Sequence, residues 1–452
     1  MLRHLPRHLL SVALTLSLAA CSTQVDEQPN TDPEPEGPGD VVRSELSRII
    51  APEVEATVQE QLASDNRDFA FDLFAQLREE GEPGDSIFVS PHSISLALAM
   101  TYGGAQENTK TEMAEALRFT LPDDELHPAF NLLDQELASR SEYVPSEESG
   151  GEPLVLNVVN QTWGQQGFPF ESDYLDLLAL HYGAEMRLVD FMSAAEAIRG
   201  EINQWVEDQT NERIKDLLPE GVLSADTRLV LVNAIYFYGS WLSPFDEDLT
   251  EDAPFTLLDA SQVSVPMMRQ SAEFGFYEDE TTVAASLPYV GNEASLILWM
   301  PADAEADFGA WEQGLTREDF DAIATQVRGA TDGEVFLPRF ESEGDYTLVD
   351  TFKALGMVDA FDFCDADFGG ITGAEPCTPG ESLYISEILH KSFVSVDEKG
   401  TEAAAATAVI MDTETSVPVD PPSVRFDRPF YYAVYDHGTD TILFMGRMLD
   451  PS

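Results

Sequence analysis

Residues 229–237, Leu-Val-Leu-Val-Asn-Ala-Ile-Tyr-Phe, are apolar at every position except Asn233. A strand with one wet face alternates; this run does not, so it reads as a strand buried on both faces. Such a strand must sit inside a sheet with a layer above it and a layer below it. Further strand patterns surround it. Residues 154–163 precede it, and 263–275, 282–290, 295–300 and 333–340 follow; the chain closes on 423–426, 430–436 and 441–448. Helical spacing concentrates before residue 220. Residues 66–77 put Phe69, Leu73 and Leu77 on one stripe, with Ala70 and Phe74 beside it. After the short strand 87–89, Ser90-Pro91 opens a helix to Tyr102 that is apolar nearly all round and so belongs in a core. Helices early and strands late give an α+β fold, and no linker or repeat after residue 65 divides it.

Charge excludes several functions. The chain carries 83 acidic and 24 basic residues, a net of −59, and only five of the cations are lysines. Such a surface repels phosphate backbones, so nucleic acid is not a partner, and a heparin-like activator finds no basic patch. With carboxylates this dense, close Asp/Glu pairs arise by chance and do not argue for acid–base catalysis. The chain has no G-x-S-x-G elbow, H-E-x-x-H helix, Walker loop or G-x-G-x-x-G. Histidines 92, 127, 181, 390 and 437 are scattered. No enzyme, metal site or cofactor is implied.

The N-terminus reads as an address. Arg3 and Arg7 precede a 12-residue apolar run, residues 9–20, too short to cross a bilayer of about 30 Å as a helix. Leu18-Ala19-Ala20-Cys21 then resembles a bacterial lipobox. The expectation is a signal peptide over 1–20, lipidation of Cys21, and export to an outer membrane or cell surface. Residues 21–64 would follow as a tether, its first part rich in Pro and Glu. Lipidation leaves Cys364 and Cys377: one disulfide in an oxidising compartment, or two free thiols. Without neighbouring histidines they make no zinc site.

One segment suggests a function: Asp397-Glu398-Lys399-Gly400-Thr401-Glu402-Ala403-Ala404-Ala405-Ala406-Thr407. Propensity alone favours a helix. Taken with a period of two, however, Thr401, Ala403, Ala405 and Thr407 share one face, all small and uncharged. A strand able to slide between two existing strands needs such a face, because bulk or charge there would cost packing or desolvation energy. Gly400 is expected to supply conformational freedom at the hinge.

This segment closely resembles the reactive-loop hinge of inhibitory serpins. Other motifs of that family occur in order: 87–100, Leu231-Val232-Asn233-Ala234-Ile235-Tyr236-Phe237 then Gly239-Ser240-Trp241, and Val265-Pro266-Met267-Met268. Leu337-Pro338-Arg339-Phe340, Leu355-Gly356-Met357 and Val424-Arg425-Phe426-Asp427-Arg428-Pro429-Phe430 complete them, so the resemblance spans 65–452. It implies three β-sheets, eight to nine helices and an exposed reactive loop. It also implies a monomeric suicide substrate for a serine, or in some cases cysteine, endopeptidase: the cleaved loop inserts into the central sheet and carries the acylated protease with it. Family spacing places the scissile bond at Glu414–Thr415, with Met411 and Thr413 as alternative specificity residues. The resemblance further makes Ser90, Ser93, Asn233 and His390 a cluster controlling sheet opening, sets Trp241 where the loop goes in, and pairs Arg339 with Glu398. Non-inhibitory relatives (substrates, carriers or chaperones) carry bulky, charged or proline residues at inward hinge positions, and this hinge has none. A solute-binding lipoprotein is the remaining alternative, without a ligand motif to support it.

Overall fold

The computed structural model describes residues 39–42, 44–143, 154–210, 212–401 and 421–452, and the backbone alone at 157–160, 231 and 233–236. Cys21, Glu402, Ala403, Ala404, Ala405, Ala406, Thr407, Met411, Thr413, Glu414 and Thr415 lie outside the described residues.

The strands are β1 (Asp40–Val42), β2 (Ile87–Val89), β3 (Val155–Gln165), β4 (Met186–Val189), β5 (Leu229–Ser240), β6 (Glu251–Thr256), β7 (Gln262–Glu278) and β8 (Thr282–Pro288). They continue as β9 (Ala294–Pro301), β10 (Ala330–Pro338), β11 (Phe340–Thr347), β12 (Leu389–Val396), β13 (Gly400–Thr401), β14 (Ser423–Arg425), β15 (Phe430–Asp436) and β16 (Thr441–Met448). The central sheet has the order β1-β4-β3-β5-β13-β12-β11. The second network, β14-β10-β7-β8-β9-β15-β16-β2 with β6 against β7, divides at the long strand β7. Its first part pairs with β6 and β10, and its last four residues pair with β8. Counted on either side of that division there are three sheets. The described residues hold ten α-helical segments, more than the eight to nine expected; four of them are six residues or shorter.

Strand β5 is covered on both faces, as its continuous apolar run requires. Phe237 packs into the main core against Tyr289 and Phe444. On the opposite face Val232 joins a second cluster with Trp163, Ile202, Trp205 and Val206 beneath the helix Phe191–Gln209. The helix Pro91–Tyr102 is buried at every position; Ser90 caps it by accepting the Ser93 amide, and Pro91 sits where no helical amide is needed.

Two boundaries differ from expectation. The stretch 333–340 is not one strand. Strand β10 ends at Pro338 and β11 begins at Phe340 in the other network, so Arg339 lies at the corner between sheets. The first helix begins at Ala56 rather than near 66, and the expected tether does not extend to residue 64. Residues 40–42 pair with β4, the Arg48 guanidinium binds Asn131 and Asp134, and the Ile49 amide donates to Leu180. These polar anchors are spread over residues far apart in sequence, so hydrophobic periodicity does not reveal them. Asp40, Leu188, Gly164 and Leu229 form one row across the sheet, at the opposite end of β5 from Gly400 and Thr401.

Candidate functional site: a wedge in the central sheet

Strands β5 and β12 run parallel and pair directly at Ala234 with Lys391 and at Ile235 with Ser392. A few residues further on they part. The chain leaves β12 at Val396, turns through 397–399 and returns between them as β13. Gly400 pairs with Ser240, while Thr401 pairs with Gly239 on one side and Val396 on the other. The centre of the sheet is therefore zipped over its middle and wedged open at one end by two residues.

Close approach dictates the residues of the wedge. A Cβ on Gly400 would come 2.1 Å from the Gly239 carbonyl oxygen and 2.8 Å from the Ser240 Cα. The glycine is needed for that contact and not for the conformational freedom expected of a hinge, since its φ is not in the left-handed region. Thr401 is fully buried, and its Oγ1 lies 2.7 Å from the Tyr289 hydroxyl. Tyr289 stacks on Trp241 at 4.8 Å between centroids. Trp241 in turn holds the turn: its Nε1 donates to the Asp397 carbonyl at 2.8 Å and its amide to the Lys399 carbonyl at 2.9 Å.

The turn is fastened by two acids. The Asp397 carboxylate accepts the amides of Lys399 (2.8 Å) and Gly400 (3.2 Å); burial nonetheless pushes this carboxyl up. Glu398 is buried, its Oε1 accepting from the Thr250 hydroxyl at 2.6 Å and from the Arg339 guanidinium. Burial pushes Glu398 up as well, but the bonds from Arg339 and Thr250 outweigh it and hold the carboxyl below its ordinary range. Arg339 reaches Glu398 from the corner between β10 and β11, so the pair ties the turn to both sheets.

A second polar group lies behind the zipped part. His390 Nε2 accepts the Ser90 amide at 3.1 Å, while Ser90 Oγ donates to the Leu443 carbonyl at 2.7 Å and accepts the Ser93 amide at 3.3 Å. Full burial lowers the His390 pKa to about 3, so the ring is neutral with its proton on Nδ1. Asn233 is one residue below Ala234 on β5, level with His390, and only its backbone is described. Ser392 donates to the Phe88 carbonyl at 3.0 Å, and the Tyr346 ring stacks over His390 at 6.5 Å. The wedge group (Trp241, Arg339, Glu398, Gly400, Thr401) and the seam group (Ser90, Ser93, His390) are thus two separate clusters along one seam.

Sequence reasoning missed Thr250, Tyr289, Tyr346 and Ser392 as members; Asp397 stood in the segment singled out above but was given no role of its own. The alternating pattern of β12, buried at His390, Ser392, Val394 and Val396, could have found Ser392. Cys364 and Cys377 are joined by a disulfide away from these clusters. Among the described residues no group of three or more His, Cys, Asp or Glu side chains is placed to hold a metal ion.

Among the contacts described for these clusters, no hydroxyl or thiol donates to a basic side chain as an activated nucleophile would. What the geometry allows is mechanical: parting β5 from β12 breaks their short direct pairing, and a longer β13 would regain a ladder on both sides. A family model described as serpin (serine protease inhibitor) matches residues 64–451. The leukocyte elastase inhibitor of Equus caballus is 37% identical over 402 residues, covering 87% of this chain and all of that protein. An uncharacterised serpin-like protein of Thermococcus kodakarensis is 36% identical over 98% of both chains. The crystal structure of tengpin, a thermophilic serpin in its native state, superposes with a TM-score of 0.74 at 26% identity, covering 91% of this chain and all of that one.

Proposed function

The chain belongs to the serpin family, and on that premise we propose that it is a suicide-substrate inhibitor of a serine endopeptidase. The carrying observation is that Gly400 and Thr401 already stand as a strand between β5 and β12. If the chain were inserted in the register of Gly400 and Thr401, residue 403 would fall opposite Val394 and Phe237, residue 405 opposite Ser392 and Ile235, and residue 407 opposite His390 and Asn233. The β12 partners on that face, Val394, Ser392 and His390, are all buried. Small uncharged residues are what such an inward face accepts. Fourteen steps from Gly400 to Glu414, at about 3.3 Å each, make a strand of roughly 46 Å. That length is enough to carry an acylated protease from one end of the sheet to the other. A net gain of about 1 kcal/mol per new ladder bond makes the uninserted form a kinetic trap.

The scissile bond in this reading is Glu414–Thr415, which selects an endopeptidase with a basic pocket for glutamate. Residues 1–20 direct export, and a lipid on Cys21 anchors a monomeric inhibitor to a membrane surface. The test of inhibition is incubation with a glutamyl endopeptidase, chymotrypsin, elastase and subtilisin, followed by denaturing gels and mass spectrometry. A denaturant-resistant complex with release of a peptide beginning at Thr415 is expected. Cleavage by every protease without any complex, and without a rise in thermal stability, would defeat the proposal. Anchoring is tested by labelling with a fatty-acid analogue in an expressing bacterium, where Cys21→Ser should abolish incorporation.

A further inference from the structure

We propose that a hollow at the foot of the β5–β12 seam is a binding site for a small organic monocarboxylate with an apolar body. Among the described residues β5 and β12 pair directly only at Ala234 with Lys391 and at Ile235 with Ser392. Below those pairs no ladder joins β5 to the stretch 382–389. The hollow, of about 320 Å³, opens there, with Arg228 and Leu229 on one side and Leu383, Tyr384 and Ser386 on the other. Its size lies at the lower end of the roughly 300–1,000 Å³ found for small-ligand sites.

The walls divide by chemistry. Leu229, Phe363, Leu383 and the Tyr384 ring supply an apolar side, the two rings standing 6.1 Å apart at 82°. Leu229, Leu383 and Tyr384 also border a smaller hollow with Phe368 and Ile371, so the apolar surface continues inward. Arg228 supplies the charge. The turn before it is fastened internally: the Ser224 amide donates to Thr227 Oγ1 at 2.9 Å, and Arg228 Nη1 donates to the Ala225 carbonyl at 2.9 Å and the Thr227 carbonyl at 3.1 Å. Backbone therefore holds the guanidinium in place, while its Nε and Nη2 have no partner among the described residues. In a chain with 83 acidic residues, no described carboxylate is paired with it. Such a free guanidinium edge matches a carboxylate through two parallel bonds. Asp226 lines the same hollow, and the net charge of −59 repels multivalent anions, so a single negative charge is favoured over a phosphate or a nucleotide. A carboxylate on Arg228 with its apolar body against Leu383 and Tyr384 spans the two sides that no ladder joins.

The experiment is titration calorimetry of the full chain with octanoate, with octan-1-ol as the uncharged probe and acetate as the probe without an apolar body. Saturable binding of octanoate alone is expected. Arg228→Gln, which keeps donors for the two carbonyls, should weaken it roughly tenfold. Tyr384→Ala, at a position 40% exposed and so not needed for folding, should weaken it several-fold. Asp226→Asn removes the opposing acid and should tighten it, a direction that misfolding does not produce. Octanoate should also raise the urea midpoint of wild type more than that of Arg228→Gln, because only the folded chain brings Arg228 to Tyr384. No saturable binding at millimolar octanoate, equal binding of octan-1-ol or of acetate, or an unchanged affinity in Arg228→Gln would each overturn the site. None of these readouts involves a protease, so their failure leaves the proposed inhibition standing, and a failure of inhibition leaves the site standing.

Discussion

Replacing Glu398 with alanine should release the wedge at a rate that follows from its contacts. The carboxylate side chain is 4% exposed while the Arg339 side chain is 47% exposed. Solvent screening of that half-exposed partner limits the ion pair to about 1 kcal/mol. The Thr250 hydroxyl bond adds about 1 kcal/mol. If the turn is undone in the transition state for sheet opening, the loss of about 2 kcal/mol accelerates opening roughly 30-fold. Arg339→Ala removes only the ion pair and should accelerate it about fivefold, and the double variant should match Glu398→Ala within error, because the two changes delete a shared interaction. Conversion of native monomer to polymer or loop-inserted monomer, followed on native and urea gels at constant temperature, measures the rate. Charge reversal, Glu398→Lys, places a second cation beside Arg339 and should be faster still. A Glu398→Ala monomer that persists as long as wild type would refute the assignment of this pair as the lock. The pH dependence has a definite sign. A depressed carboxyl stabilises above its ordinary value of 4.5 and loses that contribution only as pH falls through the lower folded value, so this lock should hold throughout neutral pH.

Histidine burial acts in a different window. His390 is lowered to about 3, and His92, His127 and His437 to about 4, so the unfolded chain takes up protons first as pH falls below 6.5. Stability should be full above that pH and then decline by about 1 kcal/mol per histidine for each unit below 6; urea midpoints measure it, and His390→Gln should flatten the slope. Gly400→Ala should fail to seat the wedge, since its Cβ would overlap the Gly239 carbonyl; protease accessibility at 397–401 reports this, and wild-type protection would contradict it. Opening the 364–377 loop with paired Cys→Ser changes should lower native stability by about 3 kcal/mol in the chain-entropy model, read from denaturant midpoints.

The sequence reveals elements whose reason is local and conceals those whose reason is distant. The unbroken apolar run of β5, the Ser90-Pro91 helix start and the small-residue face after Gly400 each state their environment within a dozen residues. Strand β11, Phe-Glu-Ser-Glu-Gly-Asp-Tyr-Thr, carries four polar residues facing water or the sheet margin, and only its pairing with β12 makes it a strand. Arg48, Thr250 and Tyr289 reach across more than eighty residues of sequence to their partners, so no periodicity marks them. Gly400 was legible as a residue the site needs, but the cause is the backbone of β5 pressed against it, which becomes visible only once β5 is in place.

The position of Asp40 has a practical consequence for orientation. Because Asp40 shares a row with Leu229, the folded body is gripped at the foot of the central sheet, some ten residues or about 33 Å along β5 from the wedge. Anything that holds the molecule by the chain preceding Gly39, whether a bead, a sensor chip or a bilayer, holds it by the end away from the wedge. Under the function proposed above, a protease arriving from solution would then meet the wedge end first. In the inhibitory reading proposed above, whatever is drawn along the seam would travel toward the support, so the spacer left between body and support would limit how large a passenger can complete the journey.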